Sequence, residues 1–372
     1  MIPTMKEYKI TFCGCGEVTA AWLWSIKNVN NRQEDYRLNV IAACDPLPKK
    51  LRKLRMFGFR EAKKFADLSL AYKDEKPDIT IITCPPQLHA RYIAEAINND
   101  SHVITEKPFL VDYQQYRHMR AMADLADEKK LVAAVNQQYR WNETIASVRA
   151  AVEKKLIGDI DFVVANFSQN RYHFNEWWRS QHEDMSQWNW FIHHYDTIRY
   201  MLGKNPLEVR AKLHRPRWSK IYGESTIFLN VTFEDGIEWS YTSTQEAIAA
   251  PTLPNHTSFI MYGSKGTIRH LKSTPPRAFV EEGTQAGRVK KINLKTLLKK
   301  DIEYETEKFG EGRWESGWDT SIKLLIESIE TGNSYPTSLR DNFWTIAIPL
   351  CARESHRRGS IPIDVKEYMQ FD

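Results

Sequence analysis

Tyr8-Lys9-Ile10-Thr11-Phe12-Cys13-Gly14-Cys15-Gly16-Glu17-Val18-Thr19 is the stretch whose reading decides the fold class. A short apolar run, Lys9–Cys13, ends in a glycine turn and passes directly into an amphipathic stretch, Glu17–Val29. Gly14 permits the tight turn, and Gly16 lets backbone amides approach a pyrophosphate at the positive end of the helix that follows. Thr19 stands at the third position of this fingerprint, where Gly or Ala is usual, which predicts a slightly wider packing of helix on strand. The turn reads as a dinucleotide loop contacted through Gly14, Cys15, Gly16, Glu17 and Val18.

Outward from this turn the first third of the chain alternates short apolar runs with helical periodicity. Asn39–Cys44, Asp78–Thr83, His102–Thr105 and Leu131–Val135 read as strands, and Pro48–Met56, Gln87–Asn98 and Tyr113–Lys129 as helices. Alternation at this spacing implies right-handed βαβ units and a parallel sheet. Asp45 closes the second strand and is the expected partner of the ribose hydroxyls, which favours NAD over NADP. It also reads as a turn residue before Pro46, and Lys49 and Lys50 would suit a 2′-phosphate. The glycine-to-Asp interval exceeds the usual ~20 residues, and the polar stretch Asn28–Arg37 reads as the insertion that lengthens it.

After Gly158 the pattern changes. Asp161–Ser168, Glu208–Leu213, Thr226–Phe233, Glu238–Ser243, Ser258–Tyr262 and Thr267–His270 are strand-like, with hairpin turns at Glu234-Asp235-Gly236 and Gly263-Ser264-Lys265-Gly266. Strands without intervening helices predict a largely antiparallel sheet. Two helices follow, Trp318–Glu330 and Leu339–Arg357, the second opened by Ser338 three residues before Asp341. The expectation is α/β: an N-terminal dinucleotide-binding domain over 1–135, then a substrate-binding and oligomerisation α/β domain over 136–372 whose last helices pack back on the first.

Length supports two domains, since 372 residues exceed what one hydrophobic core usually serves. Hydrophobic residues at 42% and charged residues at 27% exclude a disordered or fibrous chain. The net charge of +5 is scattered; Arg52, Lys53, Arg55, Lys63 and Lys64 read as solvated faces, not a nucleic-acid footprint. No segment has signal-peptide character or approaches the roughly 18 apolar residues of a membrane span. Of five cysteines, Cys13, Cys44 and Cys84 end strand-like runs, which reads as reduced thiol in a cytoplasmic protein. Cys13 and Cys15 lack a second Cys/His pair of zinc spacing, so no metal is expected.

Thr105-Glu106-Lys107-Pro108 makes the reading much more specific. Together with the glycine turn, Cys44-Asp45-Pro46, Thr83-Cys84-Pro85-Pro86 with His89, Asn136–Arg140, Ile192-His193-His194-Tyr195-Asp196 with Arg199-Tyr200, and Pro336-Thr337 to Asp341-Asn342, it resembles the Gfo/Idh/MocA oxidoreductases. This family contains glucose–fructose oxidoreductase and inositol dehydrogenases. The resemblance covers nearly the whole chain. It implies a Rossmann domain followed by an α/β domain whose open sheet supports a homodimer or homotetramer. It also implies a dinucleotide site drawing on Asp45, Thr83, Cys84, Pro85, His89, Glu106, Lys107 and Gln137, with Lys107 at the hydroxyl being oxidised. An ammonium there stabilises a developing alkoxide and orients the carbon, and a cis Lys107–Pro108 bond is expected.

Asn189, His193, Asp196 and Tyr200 are spaced to share one helix face. The resemblance makes His193 the acid/base; the matching helix often carries Asp where this chain has Asn189. Asn bonds a sugar hydroxyl but takes no proton. His194 reads as structural, and Asp196 as holding the helix or a neighbouring basic group. Between Asn170 and Trp190, aromatic and arginine side chains suit a polyhydroxylated substrate, with Tyr172 and Arg179 as contacts, or else belong to a core or subunit interface. Arg140 fits either the cofactor region or a domain-linking salt bridge.

The function expected is hydride transfer between NAD (or NADP) and a ring hydroxyl of a sugar, sugar derivative or cyclitol. Two alternatives stay open: an NAD-dependent glycoside-cleaving enzyme that oxidises its substrate transiently, and a non-catalytic dinucleotide-sensing regulator.

Overall fold

The computed structural model describes residues 5–32, 35–169, 186–247, 258–271, 277–283, 289–293 and 316–371. The chain divides into two compact units, Met1–Trp141 with Lys308–Phe343, and Asn142–Glu307 with Trp344–Asp372. In the first, β1 (Lys6–Cys13), α1 (Thr19–Arg32), β2 (Tyr36–Cys44), α2 (Arg52–Met56), β3 (Lys63–Phe65), α3 (Leu68–Asp74), β4 (Ile79–Ile82), α4 (His89–Asn98), β5 (His102–Glu106), α5 (Tyr113–Glu128) and β6 (Ala133–Asn136) follow one another. Their six strands form a parallel sheet in the order β3-β2-β1-β4-β5-β6. This is the doubly wound Rossmann arrangement, whose order reverses between β1 and β4 and opens a ligand crevice at the strands' carboxyl ends.

Every residue of β4 is buried, as a central strand covered by helices on both faces requires. Asp67 caps α3 by accepting from Ser69 N–H (3.1 Å), and Asp112 caps α5 by accepting from Gln115 N–H (2.8 Å). The polar insertion is absorbed by α1 reaching Arg32 and by β2 opening at Tyr36. β3 escapes the sequence pattern because Lys63-Lys64-Phe65 is a three-residue edge strand with only one apolar side chain. The helix expected over Pro48–Met56 is confined to Arg52–Met56, the preceding residues forming turns.

The second unit begins with α6 (Glu143–Glu153), β7 (Ile160–Ser168) and α7 (Ile192–Leu202). Then come β8 (Pro206–His214), β9 (Thr226–Phe233), β10 (Glu238–Thr244), β11 (Ser258–Gly263), β12 (Gly266–Leu271), β13 (Arg277–Gly283) and β14 (Val289–Asn293). With β15 (Ile363–Asp364) these make a nine-stranded sheet, β14-β13-β12-β11-β7-β10-β9-β8-β15, antiparallel except where β7 and β10 run parallel. One face packs Phe191, just before α7, and His194 and Tyr195 of α7 against Trp239 and Tyr241. The other face exposes Phe162, Val164 and Phe228.

Late in the chain α8 (Ser316–Thr331) joins the first unit, and α9 (Leu339–Arg357) starts there. Trp318, Ile322, Leu325 and Ile326 of α8 share one core with Trp22 and Leu23 of α1 and with Ile10 and Phe12 of β1. The deepest link is polar. Glu106, only 6% exposed at the end of β5, accepts on Oε1 from the indole N–H of Trp22 (2.8 Å), the indole N–H of Trp318 (3.0 Å) and the Asn136 amide (2.8 Å). Asn136 in turn accepts from the Ser321 hydroxyl (2.7 Å). Burying a carboxylate is tolerable only with such donors.

Glu106→Ala leaves two indole N–H groups and an amide buried without an acceptor. It should cost about 3 kcal/mol or more in urea unfolding, with Trp318→Phe costing roughly 1–3 kcal/mol. Wild-type stability in Glu106→Ala would show that the three donors do not need the carboxylate.

Candidate dinucleotide and catalytic site

The carboxyl edge of the parallel sheet gathers most of the predicted residues of the first unit. Gly14 has φ +91°, and a Cβ there would lie 2.5 Å from Cys84 N, so the loop after β1 and the loop after β4 pack backbone to backbone. A Cβ on Gly16 would meet only Thr83 O, at 3.7 Å, among the described residues. The surface over Gly16 is therefore open beside the first N–H groups of α1, which lack intrahelical acceptors. That is the room and the donor set a diphosphate needs. Glu17 is exposed and Val18 partly exposed at the same place.

Several predicted contacts hold the loops themselves. Asp45 accepts from Cys15 N–H on Oδ2 and from Leu47 N–H on Oδ1, both at 2.9 Å, while Lys50 stands 3.9 Å away. Each carboxylate oxygen keeps a second acceptor site for a hydroxyl. Lys53 donates to Cys15 O (3.0 Å), closing the loop from α2. Thr83 donates to Gly14 O (2.6 Å), and the buried Thr19 hydroxyl bonds Thr83 Oγ1 (2.9 Å). The residue in place of the third glycine thus has polar partners on both sides of the crevice.

His89, 1% exposed at the start of α4, joins the β4 and β5 loops: Nε2 lies 2.9 Å from Cys84 O and Nδ1 2.6 Å from Pro108 O. Both partners are carbonyl oxygens, which only accept, so both ring nitrogens carry protons and the ring is an imidazolium. Burial works against that charge, but the contacts with Cys84 and the Pro108 carbonyl outweigh it and raise the His89 pKa above its ordinary value. Cys84 moves the opposite way. A hydrogen bond from Cys13 and the nearby His89 ring lower its pKa against the effect of burial, whereas burial and the same Cys84 contact raise Cys13 well above the thiol range. The exposed Pro85 follows, its carbonyl accepting from Leu88 N–H (2.9 Å).

Lys107 is partly exposed and follows Glu106 directly; the Lys107–Pro108 peptide is cis. Beyond β6, Gln137 donates to Asn342 Oδ1 (2.9 Å). Arg140 bonds Pro336 O (3.1 Å) and Asp341 Oδ2 (2.7 Å). Val135 N–H donates to Thr337 O (2.9 Å), and the Thr337 hydroxyl to Val135 O (2.6 Å). The late Pro336–Asn342 segment is therefore a strap against β6, which explains why it accompanies the Asn136–Arg140 segment in sequence.

In the second unit His193 is 4% exposed on α7, and Asn189 lies in a π-helical turn, Gln187–Phe191, that runs into this helix. Such turns recur at functional sites. Asp196 accepts from the Thr345 hydroxyl (2.9 Å), which accepts from Arg199 (2.7 Å). His194 bonds the Tyr241 hydroxyl in the sheet. Both are thus engaged structurally. Tyr172 and Arg179 lie outside the described residues. Sequence spacing missed Trp22 and Trp318, whose indoles sit on Glu106, and the Cys13–Cys84–His89 cluster; two tryptophans in amphipathic helices carry no local sign of a common polar acceptor.

The profile described as "Oxidoreductase family, NAD-binding Rossmann fold" matches residues 8–137, and the GFO/IDH/MocA C-terminal domain matches residues 145–269. The chain belongs to the Gfo/Idh/MocA oxidoreductases. D-apiose dehydrogenase of Rhizobium rhizogenes is 23% identical over 366 residues, covering 95% of this chain and 97% of that protein. The NADP-linked scyllo-inositol 2-dehydrogenase of Bacillus subtilis is 21% identical over 308 residues, covering 80% and 82%. Levoglucosan dehydrogenase, solved with NADH, superposes with a TM-score of 0.83 at 19% identity, covering 97% of this chain and 99% of that one. As a Gfo/Idh/MocA protein the chain is an oxidoreductase with an NAD-binding Rossmann unit.

Because its folded pKa is raised, His89 contributes stability that is fully present below its ordinary pKa of about 6.5 and is lost as pH rises through the higher folded value. His89→Leu should therefore be less stable than wild type, by a margin that narrows as pH increases. Urea unfolding across pH 5.5–9 checks this (about 6.5 being the ordinary histidine value); a margin that widens with pH would contradict the imidazolium.

Proposed function

We propose that the protein transfers hydride between NAD and a ring carbinol of a sugar, sugar derivative or cyclitol. The observation that carries this is Lys107: a partly exposed ammonium at the carboxyl end of β5, directly after the anchored Glu106, on the sheet edge that also bears the glycine loop. Its family members acting on apiose, scyllo-inositol and levoglucosan support the substrate class.

The dinucleotide, when bound, supplies the hydride acceptor or donor. Gly16 and the N–H groups opening α1 would hold its diphosphate, and Asp45 would accept ribose hydroxyls and repel a 2′-phosphate, which favours NAD. Lys107 donates to the substrate hydroxyl and stabilises alkoxide character as the carbinol C–H bond breaks and its hydrogen leaves as hydride. His193 exchanges the hydroxyl proton, its ordinary pKa near 6.5 suiting that task. Asn189 bonds a neighbouring hydroxyl without taking a proton.

The protein assembles as a homo-oligomer through the outward face of the nine-stranded sheet, where Phe162, Val164 and Phe228 are exposed and Phe162 stacks on Tyr262 at 4.4 Å between centroids. Among the described residues no helix is long and apolar enough to cross a membrane, and all five cysteines are free thiols, which fits work in the cytoplasm.

A screen of sugars, inositols and sugar acids with NAD should give substrate-dependent reduced-nicotinamide absorbance. Lys107→Ala should lower kcat/KM roughly 10²–10⁴-fold with NAD affinity little changed, and His193→Ala should remove a limb of the pH–rate profile. Turnover by Lys107→Ala at the wild-type rate would remove that residue from the chemistry; glycoside cleavage without net reduction would replace the dehydrogenase reading. Phe162→Asp with Phe228→Asp should shift the assembly to monomer in light scattering, and an unchanged mass would place the interface elsewhere.

A further inference from the structure

Four of the five cysteines converge beneath the dinucleotide loop. Cys13 ends β1 and pairs in register with Cys44 on β2; Cys15 follows in the glycine turn. On the other side Cys13 pairs with Ile82 of β4, and Thr83 N–H donates to Cys13 O (2.8 Å). Cys84 follows two residues beyond Ile82, in the bend that leaves β4. The Gly14 contact confirms how close the chains run: a Cβ there would be 2.5 Å from Cys84 N and 2.7 Å from Cys84 Cα. The His89 ring reaches over from α4, its Nε2 2.9 Å from the Cys84 carbonyl oxygen, and both it and Cys13 lower the Cys84 pKa.

The four thiols are not equivalent. Cys84 is partly exposed, whereas Cys13, Cys15 and Cys44 are buried. Burial pushes Cys15 up to about 12 against the opposing pull of Lys53 and Lys50, and it raises Cys44 further. Among the described residues no group of three His, Cys, Asp or Glu is placed to hold a metal.

We infer that Cys84 is a modification site: a hydroperoxide oxidises its sulfur, and Cys13 closes on it as a disulfide beneath the glycine loop when no dinucleotide covers it. The Cys84 thiolate attacks the terminal peroxide oxygen, the O–O bond breaks, and the leaving oxygen takes a proton to become water or an alcohol. The product is a sulfenic acid. Cys13, whose proton passes to the departing hydroxyl, attacks the Cys84 sulfur; the S–O bond breaks and water leaves. Two thiols and one hydroperoxide thus become one disulfide, one water and one further water or alcohol. The dinucleotide, lying over the same loops as proposed above, shields Cys84, so oxidation is selective for protein without cofactor.

The test treats reduced full-length protein with hydrogen peroxide, with and without saturating NAD, alkylates the remaining thiols and maps the peptides. The expected first product is a Cys13–Cys84 linked peptide, with Cys15, Cys44 and Cys351 still alkylated, in a protein lighter by two hydrogens. Its rate should change little from pH 7 to 8, where an ordinary thiol of pKa near 8.5 gains thiolate about eightfold. Cys84→Ser should abolish the fast phase, and Cys13→Ser should stop at sulfenic acid trapped by dimedone. A first oxidation at any other cysteine, or peroxide consumption unchanged in Cys84→Ser, overturns the assignment; so does wild-type protein that accumulates Cys84 sulfinic acid without the linked peptide. Formation of the linked peptide at equal rates with and without NAD would leave the disulfide standing and overturn the shielding, and with it the placement of the dinucleotide.

Discussion

A single carboxylate oxygen, Glu106 Oε1, collects hydrogen bonds from α1, β6 and α8 at the carboxyl edge of the parallel sheet. Removed from water and ringed by two indoles, it makes exact placement of three elements the condition for burying a charge at all. α1 is the helix that opens behind the glycine turn, β6 leads into the Gln137–Arg140 segment, and α8 arrives from the far end of the chain. Lys107 is the next residue, so its place in the chain follows directly from an anchored carboxylate.

The same logic runs through the surrounding loops. Asp45, Thr83 and His89 sit where a dinucleotide site is expected, and each has hydrogen bonds to a neighbouring backbone group. They set the loop conformations before any ligand arrives, which is preorganisation: donors and acceptors fixed in advance lose little entropy on binding. His89 shows the electrostatic side of this arrangement. Two carbonyl acceptors demand an imidazolium, and the cation then acts on Cys84, so a residue that ties two loops together also sets the state of a thiol.

In the second unit the sheet has two chemically different faces, and alternation along each strand separates them. The face with Trp239 and Tyr241 is covered by α7, whose own polar side chains Asp196 and Arg199 are bridged by Thr345. The opposite face keeps Phe162, Val164 and Phe228 in the open.

Much of this was legible from the chain alone. β-branched runs, the glycine turn and the Glu106-Lys107-Pro108 segment specified the parallel sheet and its carboxyl edge, because period, turn chemistry and helix caps act between residues a few positions apart. Near-neighbour rules miss a three-residue edge strand such as Lys63–Phe65, which has too little pattern to register. They also cannot pair Trp22 and Trp318 with Glu106, partners 84 and 212 residues away, or bring the loop after Cys13 against the loop of Cys84. Sequence determined which elements form and which edge they present to a ligand. Only tertiary structure decided which side chains hold that edge and which remain available to react, because a buried charge or thiol takes its state from neighbours that the chain brings together only when it folds.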